Sequence, residues 1–469
     1  MAVACHGSTI EHHNPSERES SRGLIQIWYV GKIHQTSHSC KPKLVYGICH
    51  EYGPVYDLKW CPANYEDYEM EEIKERLGIL ALACGDGSVR ILSIPRPTNI
   101  GPGSQPVFCT LDPVLTLLTH KNNAFETQRT GFCLCVRWHP LKPHRKIAAG
   151  FADGSVRIWD VASQSMFLKI EEGNATSLLP IITMYPHSYA VRSIDWCPYN
   201  KDIIATVSCD KSFKILHIQH PNNPLFVTKR GIFLDIVWPK TRLGLFVTED
   251  ECFNILPGSA RYQVLENHFK LNLAEDHRRP VITTRHKTAA WSCSYNDYLD
   301  LVATSDTSGD VIVCKDQDSQ GTKYPKLQHK TEPVYHIDRE EIEEIQSTPQ
   351  EGGSHVLVDL GQKHYDEDVN LCESYKKHQE RNVKICCEKY KYTLVDTNKY
   401  EYTRYRSPKD KDLNRCCFGH LKRVDDIPEL ETRSVHKVSW NMNYGSHTWL
   451  ASGTRIGLVR LHNFKAWKT

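Results

Sequence analysis

The chain has 469 residues, of which 40% are hydrophobic and 24% charged, and its formal net charge is +2. This composition is typical of a globular protein, so it excludes a wholly disordered or collagen-like chain and a polycationic nucleic-acid coat. No stretch approaches the roughly 18 to 20 consecutive apolar residues of a membrane span, and the N-terminus lacks the pattern of a signal peptide. We therefore expect an intracellular protein.

A repeated pattern runs along the chain. Each copy has an alternating apolar run that ends at a tryptophan or its equivalent, then a run rich in Ala, Leu, Ile and Val, then a run such as VRIW. All three runs have the character of β-strands, and turn sequences such as Gly-Asp-Gly-Ser at 85–88 join the second to the third. Copies occupy residues 55–94, 133–161, 191–218, 233–258, 291–315 and 435–464, and a partial copy opens the chain.

These copies resemble the repeats of WD40 proteins. Trp196 and Trp238 lie about 42 residues apart, which is the period of a WD40 blade. Only one intact WD dipeptide is present, and the Gly-His half of the signature is missing from most copies. With seven copies, the resemblance implies an all-β fold, a seven-bladed WD40-type β-propeller with a long insertion between the last two blades. The expected structural repeat residues are Trp60, Asp86, Trp138, Asp153, Trp159, Asp160, Trp196, Asp210, Asp250 and Trp440.

The pattern also predicts a division of the chain. Residues 1–315 would form blades 1–6, residues 316–433 a charged and partly disordered insertion, and residues 434–469 the last blade. The first copy starts at its second strand and lacks the innermost one. Propellers close by pairing their two chain ends, so we interpret the chain as a truncated form of a longer protein, with imperfect closure as the alternative.

The insertion is acidic in its first half and basic and tyrosine-rich in its second half. Such a segment is either a solvated loop or an arm that contacts a partner or DNA. Arginine interleaved with tyrosine suits phosphate contacts and base stacking, although a cluster of this size on a neutral protein is more often a solvated face. The candidate partner or DNA contacts, from this segment and from the loop after the fifth copy, are Arg278, Arg279, Arg285, Lys287, Arg404 and Arg406.

Motifs of catalysis are absent from the sequence, including phosphate-binding loops, nucleophile elbows and zinc-protease signatures. The candidate zinc ligands of the insertion are Cys372, Cys386, Cys387, Cys416, Cys417 and His420. Adjacent cysteines have poorer geometry than the usual C-x2–4-C pairs, and only Cys417 and His420 have useful spacing. A structural zinc is therefore the weaker interpretation. We expect no catalytic residue, no metal and no cofactor.

Three motifs carry a closer resemblance. They are GLIQIWYVG (23–31), LVYGICHEYGPVYDLKWCP (44–62) and RLGILALACGDGSVRILSIPRP (76–97), and they resemble the propeller (beta) subunit of general transcription factor IIIC. The resemblance implies a noncatalytic nuclear scaffold that supports promoter-box recognition and RNA polymerase III transcription of tRNA and 5S rRNA genes. Its implied partners are the other subunits, especially the large DNA-binding one, with DNA contacted mainly indirectly and no membrane.

Three alternatives stay open at the level of sequence. The first is a generic WD40 peptide-binding adaptor in a chromatin or ubiquitin-ligase complex. The second is an enzyme that uses the insertion, although no cofactor loop is visible. The third is a direct reader of DNA sequence, which would need a steep dependence of affinity on salt.

Overall fold

The computed structural model is a ring of seven β-sheets, the blades, which stand around a central channel. No helix in the part of the chain that the structure describes is long and apolar enough to cross a membrane. The structure describes residues 1–5, 20–31, 42–62, 76–97, 105–121, 130–173, 175–228, 231–242, 244–250, 258–264, 281–286, 288–315, 330–341, 390–396, 433–443 and 445–464.

Blades 1 and 2 come from the first quarter of the chain. The strand order is β1-β2-β3-β7 in blade 1, and blade 2 is part of a six-stranded sheet of order β12-β13-β8-β6-β5-β4. The strands are β1 (Ala2–Cys5), β2 (Gly23–Tyr29), β3 (Lys43–His50), β4 (Val55–Trp60), β5 (Arg76–Cys84), β6 (Val89–Pro95), β7 (Val107–Thr110) and β8 (Leu115–Leu117).

Blades 3 and 4 have four strands each, in the orders β9-β10-β11-β14 and β15-β16-β17-β18. The hairpin β12-β13 lies between them in sequence but joins the sheet of blade 2. The strands are β9 (Cys133–Trp138), β10 (Lys146–Phe151), β11 (Val156–Asp160), β12 (Lys169–Glu172), β13 (Ala175–Leu178), β14 (Ile182–Met184), β15 (Val191–Trp196), β16 (Ile203–Ser208), β17 (Phe213–His217) and β18 (Phe226–Thr228).

Blades 5, 6 and 7 have the strand orders β19-β20-β21-β22, β23-β24-β25-β26-β27 and β28-β29-β30. The strands are β19 (Ile232–Val237), β20 (Gly244–Asp250), β21 (Gly258–Val264), β22 (Val281–His286), β23 (Ala290–Asn296), β24 (Leu301–Asp306), β25 (Val311–Lys315), β26 (Lys330–Glu341), β27 (Tyr390–Asp396), β28 (Val435–Trp440), β29 (Trp449–Thr454) and β30 (Val459–Asn463).

The hydrophobic core lies between neighbouring blades rather than inside one sheet. Trp138 of blade 3 packs in one cluster with Ala81 of blade 2, and Val313 of blade 6 packs with Val438 of blade 7. Each blade is apolar on both faces, which is why the middle strand β16 is buried at every position. Burial of this surface between blades is the main force that holds the ring together.

Two connections cross from one blade to the edge of the preceding one. β7 pairs in parallel with β3, and β13 pairs in parallel with β8. In the first crossing Gly47 lies opposite Phe108, and a Cβ on Gly47 would come within 2.4 Å of the Phe108 ring. These parallel pairs join blade 2 to blade 1 and blade 3 to blade 2, and they could not be read from local sequence because parallel partners are distant in the chain.

The predicted propeller is confirmed, including its seven blades. The repeats at 55–94, 133–161 and 191–218 form the three inner strands of their blades, as expected. The fourth, outer strands were not predicted. They are short, like Leu115–Leu117 and Ile182–Met184, and three residues are too few to show an alternation of apolar and polar side chains.

The segment after the fifth copy also differs from its expectation as a loop. Val281–His286 is the outer strand β22 of blade 5. β26 and β27 fall inside the range predicted as the insertion, where they extend the sheet of blade 6.

Candidate functional site

The ring has two faces that the inner strands define. The inner strands are β4, β9, β15, β19, β23 and β28. In blades 2, 3, 4, 6 and 7, a backbone hydrogen bond ties the turn after the second strand to the residue before the inner strand, as in Gly85 N–H to Pro54 and Cys209 N–H to Ala190. We call this side the turn face. The inner strands begin there and end on the opposite face.

The predicted aspartates Asp86, Asp153 and Asp210 organise turns on the turn face. The carboxylate of Asp86 accepts a hydrogen bond from the Ser88 backbone N–H at 2.9 Å, and that of Asp153 accepts one from the Ser155 N–H at 2.8 Å. Asp210 likewise accepts from a backbone N–H, at 2.9 Å. These carboxylates replace the backbone partners that a tight turn leaves unpaired. Asp250 differs, because it is the last residue of β20 and the turn that follows lies outside the described residues.

Two buried histidines extend this network, and sequence analysis missed the role of both. His187 Nδ1 lies 2.9 Å from Asp210, and His286 Nδ1 lies 3.2 Å from Asp306. Each Nε2 lies 2.9 Å from a threonine hydroxyl, on Thr206 and Thr304. A carboxylate only accepts, so Nδ1 carries the proton in each ring. The signal available in the sequence was a histidine four residues before an inner strand.

The predicted tryptophans join neighbouring blades. The indole N–H of Trp138 donates to the Lys59 carbonyl at 3.1 Å, and that of Trp196 donates to the Arg137 carbonyl at 3.4 Å. Trp159, of the WD dipeptide, is fully buried and donates to the Leu118 carbonyl of blade 2 at 3.1 Å.

The other predicted repeat residues lie at strand ends. Trp60 and Trp440 end inner strands, and Trp440 packs edge-on against Phe464 with 5.1 Å between ring centroids. Asp160 ends β11 and forms an ion pair with Arg145 on the protein surface.

A cluster of opposite charges occupies the channel. Asp57 contacts Arg137 at 2.7 Å and Lys59 at 3.5 Å, so it bridges blades 2 and 3. Lys437 of blade 7 contacts Asp235 of blade 5 at 3.3 Å across the channel. Each buried charge has a partner of opposite sign, and these ion pairs connect blade 2 with blade 3 and blade 5 with blade 7.

Asp235 is the most densely bonded member of this channel cluster. Its carboxylate accepts from the hydroxyls of Ser193 at 2.7 Å and Ser292 at 2.9 Å, and from the Cys293 N–H at 3.1 Å. One side chain therefore contacts blades 4, 6 and 7. Burial alone would raise its pKa, but Lys437 and these donors hold the pKa of Asp235 well below its usual range.

The two lysines of the channel have opposite electrostatic environments. Burial, followed by repulsion from Arg137, lowers the pKa of Lys59 to about 8 despite the nearby Asp57. Burial also opposes the charge on Lys437, but Asp235 and Asp57 outweigh it and raise the pKa of Lys437. Lys59 is therefore the cation that the channel holds less strongly.

A cavity of about 290 Å³ opens from this cluster toward the opposite face. Its walls combine charged groups of the channel with the apolar ends of inner strands, among them Arg137, Asp195, Trp196, Lys437, Trp440 and Met442. Asp195 accepts from the Trp238 N–H at 2.7 Å, and burial raises the pKa of its carboxyl. The polar groups are thus mostly engaged by the protein itself.

The turn-face end of the channel is built differently. Every inner strand has a β-bulge at its second residue or, in β19, at its third, where the register with the second strand shifts. A bulge re-aims a side chain and leaves it out of the ladder. We call the six bulge residues the channel mouth: Tyr56, Leu134, Arg192, Leu234, Trp291 and His436.

Comparison with known proteins agrees with this geometry. The model of the family "WD domain, G-beta repeat" matches residues 117–160 and 179–216, which lie in blades 2 to 4. The chain is a WD40-type propeller. The relatedness to transcription factor IIIC predicted from its motifs is also confirmed, because relatives from human and fission yeast match 96% of the chain.

This WD40 propeller is 27% identical over 470 residues to General transcription factor 3C polypeptide 2 of Homo sapiens, covering 96% of the chain and 48% of that protein. It is 27% identical over 454 residues to Transcription factor tau subunit sfc6 of Schizosaccharomyces pombe, covering 96% of the chain and 58% of the relative. The chain thus spans about half the length of the curated relatives it matches. A shorter match, 26% over 206 residues and 44% of the chain, is to Histone acetyltransferase type B subunit 2 of Aspergillus fumigatus.

Of the predicted contact residues in the WD40 propeller, the structure describes Arg285. It is exposed on the outer strand of blade 5, opposite Ser259. The neighbouring His286, which the sequence places in the same basic cluster, is instead buried against Asp306. Arg278, Arg279, Lys287, Arg404 and Arg406 lie outside the described residues, as do the candidate zinc ligands.

Proposed function

We propose that the chain is a noncatalytic scaffold subunit of a transcription factor IIIC complex in the nucleus. There it would support promoter-box recognition and RNA polymerase III transcription of tRNA and 5S rRNA genes. The observation that carries the proposal is similarity over 96% of the chain to transcription factor subunits from human and fission yeast. Two faces and a rim on one braced ring suit simultaneous contacts with several proteins.

The expected partners are the other subunits of the complex, above all the large DNA-binding subunit, with DNA contacted mainly through them. The near-neutral charge of +2 supports this division, because binding to the phosphate backbone needs many local cations.

A pull-down from nuclear extract tests the proposal. The tagged full chain is incubated with nuclease present, so that DNA cannot bridge proteins, and the bound proteins are identified by mass spectrometry. A tagged WD40 propeller of another family is the control. Enrichment of the large DNA-binding subunit over the control supports the scaffold role. Recovery of other complexes without any such subunit contradicts it.

The second candidate is a peptide-binding adaptor in a chromatin or ubiquitin-ligase complex. The match to a histone acetyltransferase subunit favours it, although that match covers 44% of the chain against 96%. The same pull-down separates the two, because the adaptor role predicts chromatin or ligase subunits among the bound proteins.

We further propose the three-part division at residues 316 and 434, with the basic residues near it as partner or DNA contacts. Replacing Arg278, Arg279, Arg404 and Arg406 by glutamine tests the contacts, with Arg22→Gln as the surface control. Arg22 is 90% exposed and pairs with Glu51. Loss of a subunit from the pull-down only in the fourfold variant supports the role, and equal recovery contradicts it.

A further inference from the structure

The channel mouth differs in chemistry from the channel below it. Inside, Asp57, Arg137, Asp235 and Lys437 pair with one another. At the mouth, Leu134 and Leu234 are buried, Arg192, Trp291 and His436 are partly buried, and Tyr56 is exposed. The mouth therefore carries one cation, Arg192, beside aromatic rings, whereas the charges in the channel below it are paired.

Arg192 is the cation of the channel mouth. Its guanidinium carbon lies 5.3 Å from the centroid of the Trp291 ring, within the range of a cation–π contact. Trp291 in turn stacks on His436, with 5.5 Å between centroids and 19° between planes. Three blades, the fourth, sixth and seventh, thus contribute to one stack across the mouth.

One hydrogen-bond donor of Arg192, its Nε, is unused among the residues that the structure describes. Its Nε is buried and has no hydrogen-bond partner in the described part of the chain, and no carboxylate there forms an ion pair with it. An unpaired buried donor costs free energy, more so on a charged group. By contrast, the neighbouring Ser193 donates to Asp235.

We propose that the channel mouth binds the side-chain carboxylate of an Asp or Glu in a peptide segment of a partner protein. Arg192 would donate to the carboxylate, Trp291 and His436 would hold the guanidinium plane, and Tyr56, which is 36% exposed, would contact the apolar part of the segment. A planar guanidinium matches a carboxylate in two parallel hydrogen bonds. This inference does not depend on the proposed function, because it rests on the mouth alone.

A peptide fits the site better than a nucleic acid. Backbone binding of DNA or RNA neutralises several phosphates at once, and Arg192 is the only arginine or lysine among the six mouth residues. Just below the mouth lie the carboxylates of Asp57 and Asp235, which disfavour a polyanion. A peptide with one acidic side chain and an apolar neighbour places a single negative charge beside Arg192, and it brings no further negative charge toward Asp57 and Asp235.

Selection from a library of random peptides displayed on phage tests the proposal with the full chain as bait. We expect the wild-type chain to enrich peptides that carry Asp or Glu. A fluorescently labelled copy of the most enriched peptide should bind at least about tenfold more weakly after its acidic residues are replaced by Asn or Gln. Arg192→Gln should reduce the affinity of the original peptide to a similar extent, and Arg192→Glu should select peptides that carry Lys or Arg.

The matched control is Arg145→Gln, which removes a half-exposed arginine at the start of β10, on the opposite face. It should leave binding unchanged, and the melting temperatures of all variants are compared with that of wild type. Absence of acidic enrichment overturns the proposal. So does binding that is indifferent to Arg192→Gln in a folded variant, or displacement of the peptide by a single-stranded oligonucleotide whose own binding needs Arg192.

Discussion

Blades 4 and 6 build the same buried network from different sequence positions. In blade 4 the turn begins with a hydrogen bond from Ser208 N–H to Ser212, and Asp210 lies inside the turn. In blade 6 the corresponding hydrogen bond runs from the Asp306 N–H to the Asp310 carbonyl. Asp306 therefore lies two positions earlier in its turn than Asp210 does in the turn of blade 4. Both carboxylates nevertheless reach the Nδ1 of a buried histidine.

The comparison shows what the propeller requires at these turns. The family model matches residues of blade 4 but none of blade 6, although the first four strands of blade 6 follow the same order as those of blade 4. Blade 5 departs further, since buried Glu249 accepts from Ser259 at 2.8 Å near the end of β20. In blades 4 and 6 an acid therefore reaches the turn from different sequence positions, whereas in blade 7 the Thr454 hydroxyl accepts from the Leu458 N–H at 3.0 Å.

The largest losses of stability are expected at Asp306 and Asp210, and the loss should be greater at Asp306. Asp306 is fully buried and accepts from the N–H groups of Ser308 and Asp310 as well as from His286. Asp306→Ala should lower the free energy of unfolding by about 4 kcal/mol, because it leaves these buried donors unpaired. Asp210→Ala should cost about 2 kcal/mol, since its carboxylate is 9% exposed and water can replace it. Urea titration of both variants measures the order, and equal losses would contradict it.

A glycine pair sharpens the comparison between blades 3 and 7. Gly154 and Gly457 have nearly the same left-handed backbone, with φ of +85° and +84°. A Cβ on Gly154 would lie 2.2 Å from the His187 carbonyl oxygen, whereas one on Gly457 meets nothing within 4 Å. Gly457→Ala should therefore cost only about 1–2 kcal/mol of backbone strain.

Gly154→Ala should cost about 3 kcal/mol or more, because the clash adds to the same strain. Thermal unfolding of the two alanine variants provides the measurement. A smaller loss for Gly154→Ala than for Gly457→Ala would show that the turn of blade 3 can move away from blade 4.

Acidification should affect the histidine of blade 4. Burial lowers the pKa of His187 below the usual 6.5, although Asp210 opposes the shift. A depressed histidine pKa means that the unfolded chain binds a proton first, so stability falls as the pH drops below about 6.5. His187→Gln should flatten this part of the stability curve between pH 7 and pH 5. An unchanged slope would mean that His187 keeps an ordinary pKa.

The smallest loss of stability is expected at Asp160, the aspartate of the WD dipeptide. Asp160 pairs with Arg145, whose side chain is 50% exposed, and it accepts from the Ala162 N–H at 3.1 Å. Asp160→Asn should lower stability by about 1 kcal/mol or less, because exposed ion pairs contribute little. Its matched comparison is Trp159→Phe, which removes the indole N–H bond to blade 2. A loss for Asp160→Asn that exceeds the loss for Trp159→Phe would contradict this order.

Much of the fold could be predicted because its signals are local. The alternation in VRSIDW, the apolar run IIATVS and the Asp-Lys-Ser turn all lie within about 20 residues and predicted strands β15 to β17. The candidate sites could not be predicted in the same way. Arg192, Trp291 and His436 have no shared motif, and only the bulge at the start of each inner strand brings them to one mouth.

By itself, the sequence determined the class of fold, the number of repeats and the aspartates of the turns in blades 2 to 4, because these depend on periodicity and turn chemistry within one repeat. Only the tertiary structure decided which residues meet in the channel. Lys437 and Asp235 are separated by 202 residues and yet lie 3.3 Å apart. Packing of successive blades places the inner strands β4, β9, β15, β19, β23 and β28 side by side. The low-dielectric channel then makes each charge depend on partners from other blades.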